Sequence, residues 1–97
     1  EIYTLSLHDA LPILASTLPS RGYYKQGDGI TTLLDKRDQI GYVQTALNWA
    51  IGCGLVIDGQ YGKKTTQAVT DLQRICRLPI NGCFGNKCLT VIKGMKK

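Results

Sequence analysis

The apolar positions in the second half of the chain recur at the spacing of amphipathic helices. Between Asp38 and Gly52 they fall on one face about 100° wide, which predicts a helix over residues 39–52. Similar stripes predict a second helix over residues 63–76 and a short third helix over residues 86–94. The apolar residues of the three stripes are, in chain order, Ile40, Val43, Leu47, Ala50, Ile51, Ala68, Val69, Leu72, Ile75, Cys76, Leu89, Val91 and Ile92. The pattern indicates an all-α fold in which three helices share one core.

The connections between these helices are two copies of one sequence. Residues 53–65 read CGLVIDGQYGKKT and residues 76–88 read CRLPINGCFGNKC. In each copy an Asp-Gly or Asn-Gly pair favours a tight turn with positive φ, and a second glycine lets the chain enter the next helix. Two copies are too few for a solenoid, because about three repeats are needed to bury a continuous core. We therefore predict a compact, pseudo-symmetric domain with two repeated DGxYG-type loops.

The N-terminal part of the chain has a different character. Residues 14–38 are rich in turn signals and predict an irregular linker or extension that packs on the core, with a helical turn near residues 32–36. Residues 4–13, TLSLHDALPI, resemble the translation of a sequencing adapter that recurs at the ends of fragmentary metagenomic reading frames. We expect residues 1–13 to be a non-native leader that contributes nothing to the fold, and an upstream signal peptide or catalytic domain to be missing. The domain proper then comprises residues 39–97.

The chain carries a formal net charge of +5, from 12 basic and 7 acidic side chains. A surface of this sign suits anionic polymers, although the same charge also serves ordinary solubility. The basic residues are spread along the sequence, apart from a C-terminal group of lysines, and no basic strip is interleaved with aromatic residues. We therefore expect neither a nucleic acid nor a membrane as a partner.

Four cysteines offer extra stability to this small chain. Cys53, Cys76, Cys83 and Cys88 form no CxxC pair, and the one histidine, His8, is far away in the sequence. This spacing does not favour a zinc site, so we predict two disulfide bonds, no metal and no cofactor. Disulfide bonds imply an oxidising compartment and hence secretion. All three connectivities stay open, with a preference for a bridge from Cys53 or Cys76 into the second copy of the loop.

The order and spacing of these residues resemble a known family. The segment from Val43 to Ile92 is similar to the three-helix peptidoglycan-binding domain that lies beside catalytic domains in bacterial wall hydrolases and phage endolysins. That family has a helix with leucine and glutamine, a DGxFG turn, a threonine, an AVxxFQ segment and a second, looser DGxxG turn. The matching residues are Val43, Gln44, Leu47, Asp58, Gly59, Tyr61, Gly62, Thr65, Ala68, Val69, Leu72, Gln73, Leu78, Asn81, Gly82 and Gly85. Tyr61 and Leu72 replace phenylalanines, and Cys88 stands where threonine is usual.

The resemblance implies a non-catalytic module that binds peptidoglycan or a related wall glycopeptide, is extracellular or in the cell wall, and tethers a hydrolase to its polymer. No catalytic residue is expected, because His8 lies in the suspected leader and Asp58 is placed to cap a turn. Amide, hydroxyl and ammonium groups around the two loops suit amide-rich, partly anionic wall peptides. The candidate ligand-binding residues are Gln60, Tyr61, Lys63, Thr66 and Asn86. For Tyr61, packing is favoured over ligand contact.

Tyr42 and Trp49 lie nearly opposite the apolar stripe of the first predicted helix, where polar residues are usual. They form either an aromatic platform or interface for a sugar or protein partner, or a surface that residues 14–38 cover, which we favour. An exposed platform would fit an alternative function, that of a secreted, disulfide-stabilised structural subunit that self-associates. A prodomain-like inhibitory module is a weaker alternative, because no free cysteine motif for gripping a catalytic zinc is visible.

Overall fold

The computed structural model describes residues 7–95 of the chain, and the side chains of residues 11–95. Its elements are helix α1 (Leu7–Thr17), strand β1 (Tyr23–Tyr24), a 3₁₀ turn (Leu34–Lys36), helix α2 (Arg37–Ile51), helix α3 (Lys63–Ile75), strand β2 (Phe84–Gly85) and helix α4 (Asn86–Lys93). The fold is mainly helical, as predicted. Within the described residues, however, it has four helices and a small two-stranded sheet in place of three helices alone.

The three predicted helices are α2, α3 and α4, with boundaries that lie within two residues of the predicted ones. Helix α2 ends at Gly52, which has a left-handed φ of 62° and donates its N–H to the carbonyl oxygen of Asn48. Helices α3 and α4 both begin after a glycine with extended backbone, Gly62 and Gly85. The two copies of the loop therefore deliver the chain into their helices in the same way.

Helix α1 corrects the prediction that residues 1–13 contribute nothing to the fold. Residues 7–13 form the larger part of this helix, which packs against α2 and α4. Leu11 and Leu14 are buried in the core, and Leu18 is half-buried against it. These leucines are three and four residues apart and so share one helix face, a stripe that Pro12 obscures in the sequence. Residues 1–6 of the suspected leader lie outside the described part, and the non-native origin of the segment stays a prediction.

The segment between α1 and the 3₁₀ turn, residues 18–33, is called the strap. Its residue Tyr24 is buried in the core, and it contains β1, which pairs antiparallel with β2. Tyr23 lies opposite Gly85, and Tyr24 lies opposite Phe84. Because β2 belongs to the second copy of the repeated loop, the strap is joined to that loop by backbone hydrogen bonds.

The strap is also bonded to the first copy of the loop. Gly27 donates its N–H to the carbonyl oxygen of Tyr61 over 2.9 Å, and Tyr61 donates its own N–H to the carbonyl oxygen of Asp28 over 2.9 Å. Gly29 follows with a φ of 77°, and a Cβ atom there would collide with the carbonyl oxygen of Gly59. Only glycine satisfies both the backbone conformation and this close approach.

The strap is held in shape by a buried carboxylate. Asp28 is fully buried, and its side chain forms an ion pair with Arg21. The same carboxylate accepts hydrogen bonds from the backbone N–H of Lys25 and the hydroxyl of Thr32, each over 2.8 Å. The guanidinium of Arg21 also lies over the Tyr23 ring, 5.1 Å from its centroid. A buried charge with this many partners fixes the strap as one ordered turn.

The core is formed by residues from all four described helices, both loops and the strap. Its aromatic members come from non-helical segments, so the loops contribute to the core rather than only connecting helices. The buried apolar residues are Leu11, Leu14, Tyr24, Ile40, Val43, Ala46, Leu47, Ala50, Tyr61, Ala68, Val69, Leu72, Phe84, Cys88, Leu89 and Ile92.

Candidate functional site

The first loop, residues 52–62, is organised around the side chain of Gln44 from α2. The amide nitrogen of Gln44 donates to Asp58 Oδ1 and to the carbonyl oxygen of Gln60, each over 3.0 Å, and lies 3.1 Å from Thr65 Oγ1. Its amide oxygen accepts the backbone N–H groups of Asp58 and Gly59, each over 3.1 Å. Gln44 is 1% exposed, so these contacts satisfy a buried amide completely.

The second loop, residues 76–85, is organised in the same way around Gln73 from α3. The amide nitrogen of Gln73 donates to Asn81 Oδ1 over 2.8 Å and to the carbonyl oxygen of Cys83 over 3.1 Å. The Sγ atom of Cys88 lies 3.9 Å from that nitrogen, in the place that the Thr65 hydroxyl takes in the first loop. The backbone N–H groups of Asn81 and Gly82 donate to the amide oxygen of Gln73 over 3.1 and 3.0 Å.

The turn within each loop is closed by its own polar side chain. Asp58 Oδ1 accepts the N–H of Gln60 over 2.9 Å, and Asn81 Oδ1 accepts the N–H of Cys83 over 3.0 Å. The glycine after each has a φ of 73° or 71°. The turn-capping function expected for Asp58 is therefore confirmed. Sequence reasoning missed the two glutamines as organising residues, although a polar residue on the buried face of an amphipathic helix was the available signal.

A surface cleft of about 310 Å³ lies where the first loop meets the N-terminus of α3 and is called the first cleft. Its lining includes Val56, Asp58, Gln60, Lys63 and Lys64. The side chains of Gln60 and both lysines are exposed, so the cleft presents an amide, two ammonium groups and a carboxylate to solvent. This set can bind a ligand that carries carboxylate and amide groups.

A larger cleft of about 400 Å³ lies where the second loop meets α4 and is called the second cleft. Its lining includes Leu78, Cys83, Asn86 and Lys87, and the strap adds Tyr23. Asn86 and Lys87 are exposed, whereas Tyr23 and Cys83 are half-buried. The second cleft thus combines an amide and an ammonium group with an aromatic wall.

The structure divides the predicted ligand-binding residues among different places. Gln60 and Lys63 line the first cleft, and Asn86 lines the second. Thr66 lines neither cleft, and its hydroxyl donates to the carbonyl oxygen of Gly62 over 2.9 Å, one turn back in α3. The predicted residues therefore do not form one continuous site.

Tyr61 is a correction to the candidate binding residues. Its side chain is fully buried, and its hydroxyl donates to the carbonyl oxygen of Gly82 over 2.6 Å. Burial away from water is the main cause that raises the pKa of Tyr61 well above its ordinary value. Tyr61 joins the first loop to the second from inside the core and cannot contact a surface ligand.

Tyr42 and Trp49 do not form a fully exposed platform. Both are half-buried and pack against the core cluster, and α1 lies against α2, the helix that carries them. The aromatic face therefore has partners within the chain.

The four cysteines are free thiols, which corrects the prediction of two disulfide bonds. The sulfurs of Cys53, Cys83 and Cys88 each face an oxygen, respectively Asn48 Oδ1 at 3.3 Å, the Asn81 carbonyl at 3.6 Å and the Cys83 carbonyl at 3.8 Å. Burial raises the pKa of the Cys88 thiol, which keeps it protonated. The argument for secretion from disulfide bonds therefore loses its support.

The described residues contain no group of three or more His, Cys, Asp or Glu side chains that could hold a metal ion. Within the same residues, no helix has both the length and the apolar character needed to cross a membrane.

The sequence model of a family described as "putative peptidoglycan binding domain" matches residues 36–92, which include α2, both loops, α3 and most of α4. No curated protein and no solved structure matches the chain.

Proposed function

Because this chain belongs to the putative peptidoglycan-binding domain family, we propose that it is a non-catalytic module that binds wall peptide in the first cleft and tethers an attached hydrolase. The family match over residues 36–92 carries this proposal. A tether raises the local concentration of a catalytic domain at its polymer without any chemistry of its own. An extracellular or cell-wall location belongs to the same proposal.

The groups that line the first cleft support wall peptide as the ligand. Stem peptides offer carboxylates and a high density of amides, and Lys63 and Lys64 supply two ammonium groups within one cleft. Gln60 adds an exposed amide that can both donate and accept hydrogen bonds. The backbone of Gln60 is held by Asp58 and Gln44, so binding does not have to order this part of the loop, which lowers the entropic cost.

The environment of Asp58 supports the absence of catalysis. Its Oδ1 atom already accepts hydrogen bonds from Gln44 and from the N–H of Gln60. A carboxylate that closes a turn in this way is committed to the loop conformation. No structural observation favours the self-associating subunit, because the thiols are free and the aromatic face is half-buried.

The proposal is tested with purified peptidoglycan sacculi in a sedimentation assay. The double variant Gln60→Ala with Lys63→Ala should bind about tenfold more weakly, as expected for the loss of about 1.4 kcal/mol of charge-assisted hydrogen bonding. Its melting temperature should stay close to that of the wild type, because both side chains are exposed.

The matched control is Lys25→Ala, which removes one exposed positive charge from a position that lines neither cleft. This variant should bind like the wild type. Wild-type protein that fails to sediment with sacculi of several wall types would refute the proposed function. Equal weakening in the control and the double variant would show that binding depends on net charge rather than on the first cleft.

A further inference from the structure

We propose that the second cleft is a second subsite for the same polymer and that the two clefts bind neighbouring units of one wall chain together. This inference rests on the proposed function, since it takes the ligand class from there. It adds a site, a set of contact residues and a mode of binding that a single-cleft module would lack.

The first step of the argument is the equivalence of the two clefts. When the two loops are aligned, Leu55 corresponds to Leu78, and Lys64 corresponds to Lys87, and each of these residues lines its own cleft. Each cleft also includes the buried glutamine that holds its loop, Gln44 or Gln73. A surface concavity thus occurs twice, at the same place in each copy of the repeat.

The second step is that the two loops have the same backbone framework. The four hydrogen bonds that Gln44 makes to residues 58–60 have counterparts between Gln73 and residues 81–83, with donor–acceptor distances that agree within about 0.2 Å. The backbone framework that supports the first cleft is therefore also present at the second. The side chains that differ decide what each cleft accepts.

The third step is the chemistry of those side chains. Lys87 keeps an ammonium group at the position of Lys64, and Asn86 places an amide where the first cleft has Lys63. Both groups are exposed and suit a peptide that carries a carboxylate and amides. The half-buried ring of Tyr23 and the side chain of Leu78 add apolar walls that the apolar parts of the same unit can contact.

The fourth step is the nature of the polymer. A wall chain presents the same unit repeatedly, so a module with one occupied cleft holds a second unit near the other cleft. The second contact is then intramolecular, and the combined affinity can exceed that of one cleft by about 10²- to 10⁴-fold. A soluble fragment with one unit cannot gain in this way.

The test compares binding to intact sacculi with binding to a soluble disaccharide that carries one stem peptide. The variant Asn86→Ala with Lys87→Ala should bind sacculi at least tenfold more weakly than the wild type. The matched control is Lys93→Ala, an exposed lysine of the same helix that lines neither cleft, and it should bind normally. Melting temperatures identify any variant that is misfolded.

A second measurement uses only the wild-type protein. In a titration of ¹⁵N-labelled protein with the soluble fragment, backbone resonances near Gln60 and near Asn86 should both shift. Shifts confined to the first loop, or normal sacculus binding by the Asn86→Ala, Lys87→Ala variant, would overturn the second subsite and leave the proposed function standing. Wild-type protein that binds neither sacculi nor the fragment would overturn both.

Discussion

Gln44 and Gln73 show at the scale of single residues why glutamine is suited to hold a turn. One amide group presents a donor and an acceptor at the end of a flexible side chain, so it bonds both the N–H groups and the carbonyl oxygen of the same turn. Neither hydrophobic nor charged side chains of similar size combine the two functions. Because Gln44 is 1% and Gln73 3% exposed, a lost partner is not replaced by water.

The two glutamines predict different responses to the same substitution. In Gln44→Glu the new carboxylate would face the Asp58 carboxylate and the Gln60 carbonyl oxygen without an N–H to donate, which should cost about 3 kcal/mol or more. In Gln73→Glu the carboxylate would also face a carbonyl oxygen, that of Cys83, but its other neighbour is the neutral amide of Asn81. This amide can turn its NH₂ group toward the carboxylate at the expense of the hydrogen bond that it accepts from the Cys83 N–H. Chemical denaturation at neutral pH should therefore show the larger loss for Gln44→Glu.

The two variants serve as controls for each other, because both substitutions keep the shape of the side chain. Equal losses of unfolding free energy in the two variants would contradict the argument, because they would show that the Asp58 charge is irrelevant to the first loop.

At the scale of secondary-structure elements, α1 and the strap pack against the helices of the domain although both precede residue 36, where the family match begins. Helix α1 contributes Leu11 and Leu14 to the core, and the strap contributes Tyr24. The hydroxyl of Tyr24 in turn donates to the carbonyl oxygen of Thr17, at the end of α1, over 3.2 Å. These elements are therefore part of the same packed unit as α2 and α4.

Deletion of residues 1–13 should destabilise the domain, because it removes Leu11 and most of α1. A buried leucine contributes about 2–5 kcal/mol, and each 1 kcal/mol shifts the melting temperature of a domain this size by about 4–8 °C. Differential scanning calorimetry should show a drop of several degrees.

Two point variants accompany the deletion. Leu14→Ala should also lower the melting temperature, whereas Ser16→Ala on the exposed side of the same helix should have little effect. A deletion variant that melts at the wild-type temperature would show that residues 1–13 are dispensable, as the sequence alone suggested.

At the scale of the whole molecule, the free energy of unfolding depends on pH, because several buried groups must stay uncharged in the folded state. Burial, with a further contribution from the Asp28 carboxylate, raises the pKa of Tyr24 to about 12. Burial also raises the pKa of Tyr61 and of the Cys88 thiol. In each case the folded state binds the proton more tightly than the unfolded state. The group therefore contributes fully to the free energy of unfolding below its ordinary pKa, and this contribution is lost as the pH rises through its folded-state pKa.

The expected result is a loss of unfolding free energy that begins above about pH 9 and steepens above pH 10. Two tyrosines that ionise only on unfolding give a slope of up to about 2.7 kcal/mol per pH unit. Urea titrations at steps from pH 7 to pH 11.5 measure this slope.

Tyr61→Phe serves as the comparison. It should lower stability at neutral pH, because the Gly82 carbonyl oxygen loses its hydroxyl donor, but its alkaline slope should be shallower by up to about 1.4 kcal/mol per pH unit. An unchanged slope would mean that Tyr61 does not titrate with global unfolding.

The sequence predicted the parts of the fold that depend on local periodicity and turn chemistry. Helices α2, α3 and α4 and the function of Asp58 could be read because their signals lie within a few residues of one another. Helix α1 was missed because Pro12 interrupts its pattern. The pairing of the strap with both loops was missed because such contacts join residues far apart in the chain.

For the candidate site, too, the sequence indicated local features but not contacts between distant segments. Gln60, Lys63 and Asn86 were predicted as ligand-binding residues because they flank the repeated turns, and their placement in two separate clefts depends on how the loops are packed. Tyr61 could not be assigned from sequence, since an aromatic residue beside a turn can point either inward or outward. Likewise, four cysteines allow disulfide bonds, but only the positions of their sulfurs decide whether bonds form.

The strap bonds to both loops through backbone atoms, at Tyr61 in one and at Phe84 and Gly85 in the other. Moving either loop away from the strap would break these hydrogen bonds, so they restrain the length that separates the two clefts. If both clefts bind one wall chain, that length becomes a criterion of recognition in its own right. Polymers with identical units but different spacing along the chain would then be distinguished by geometry alone.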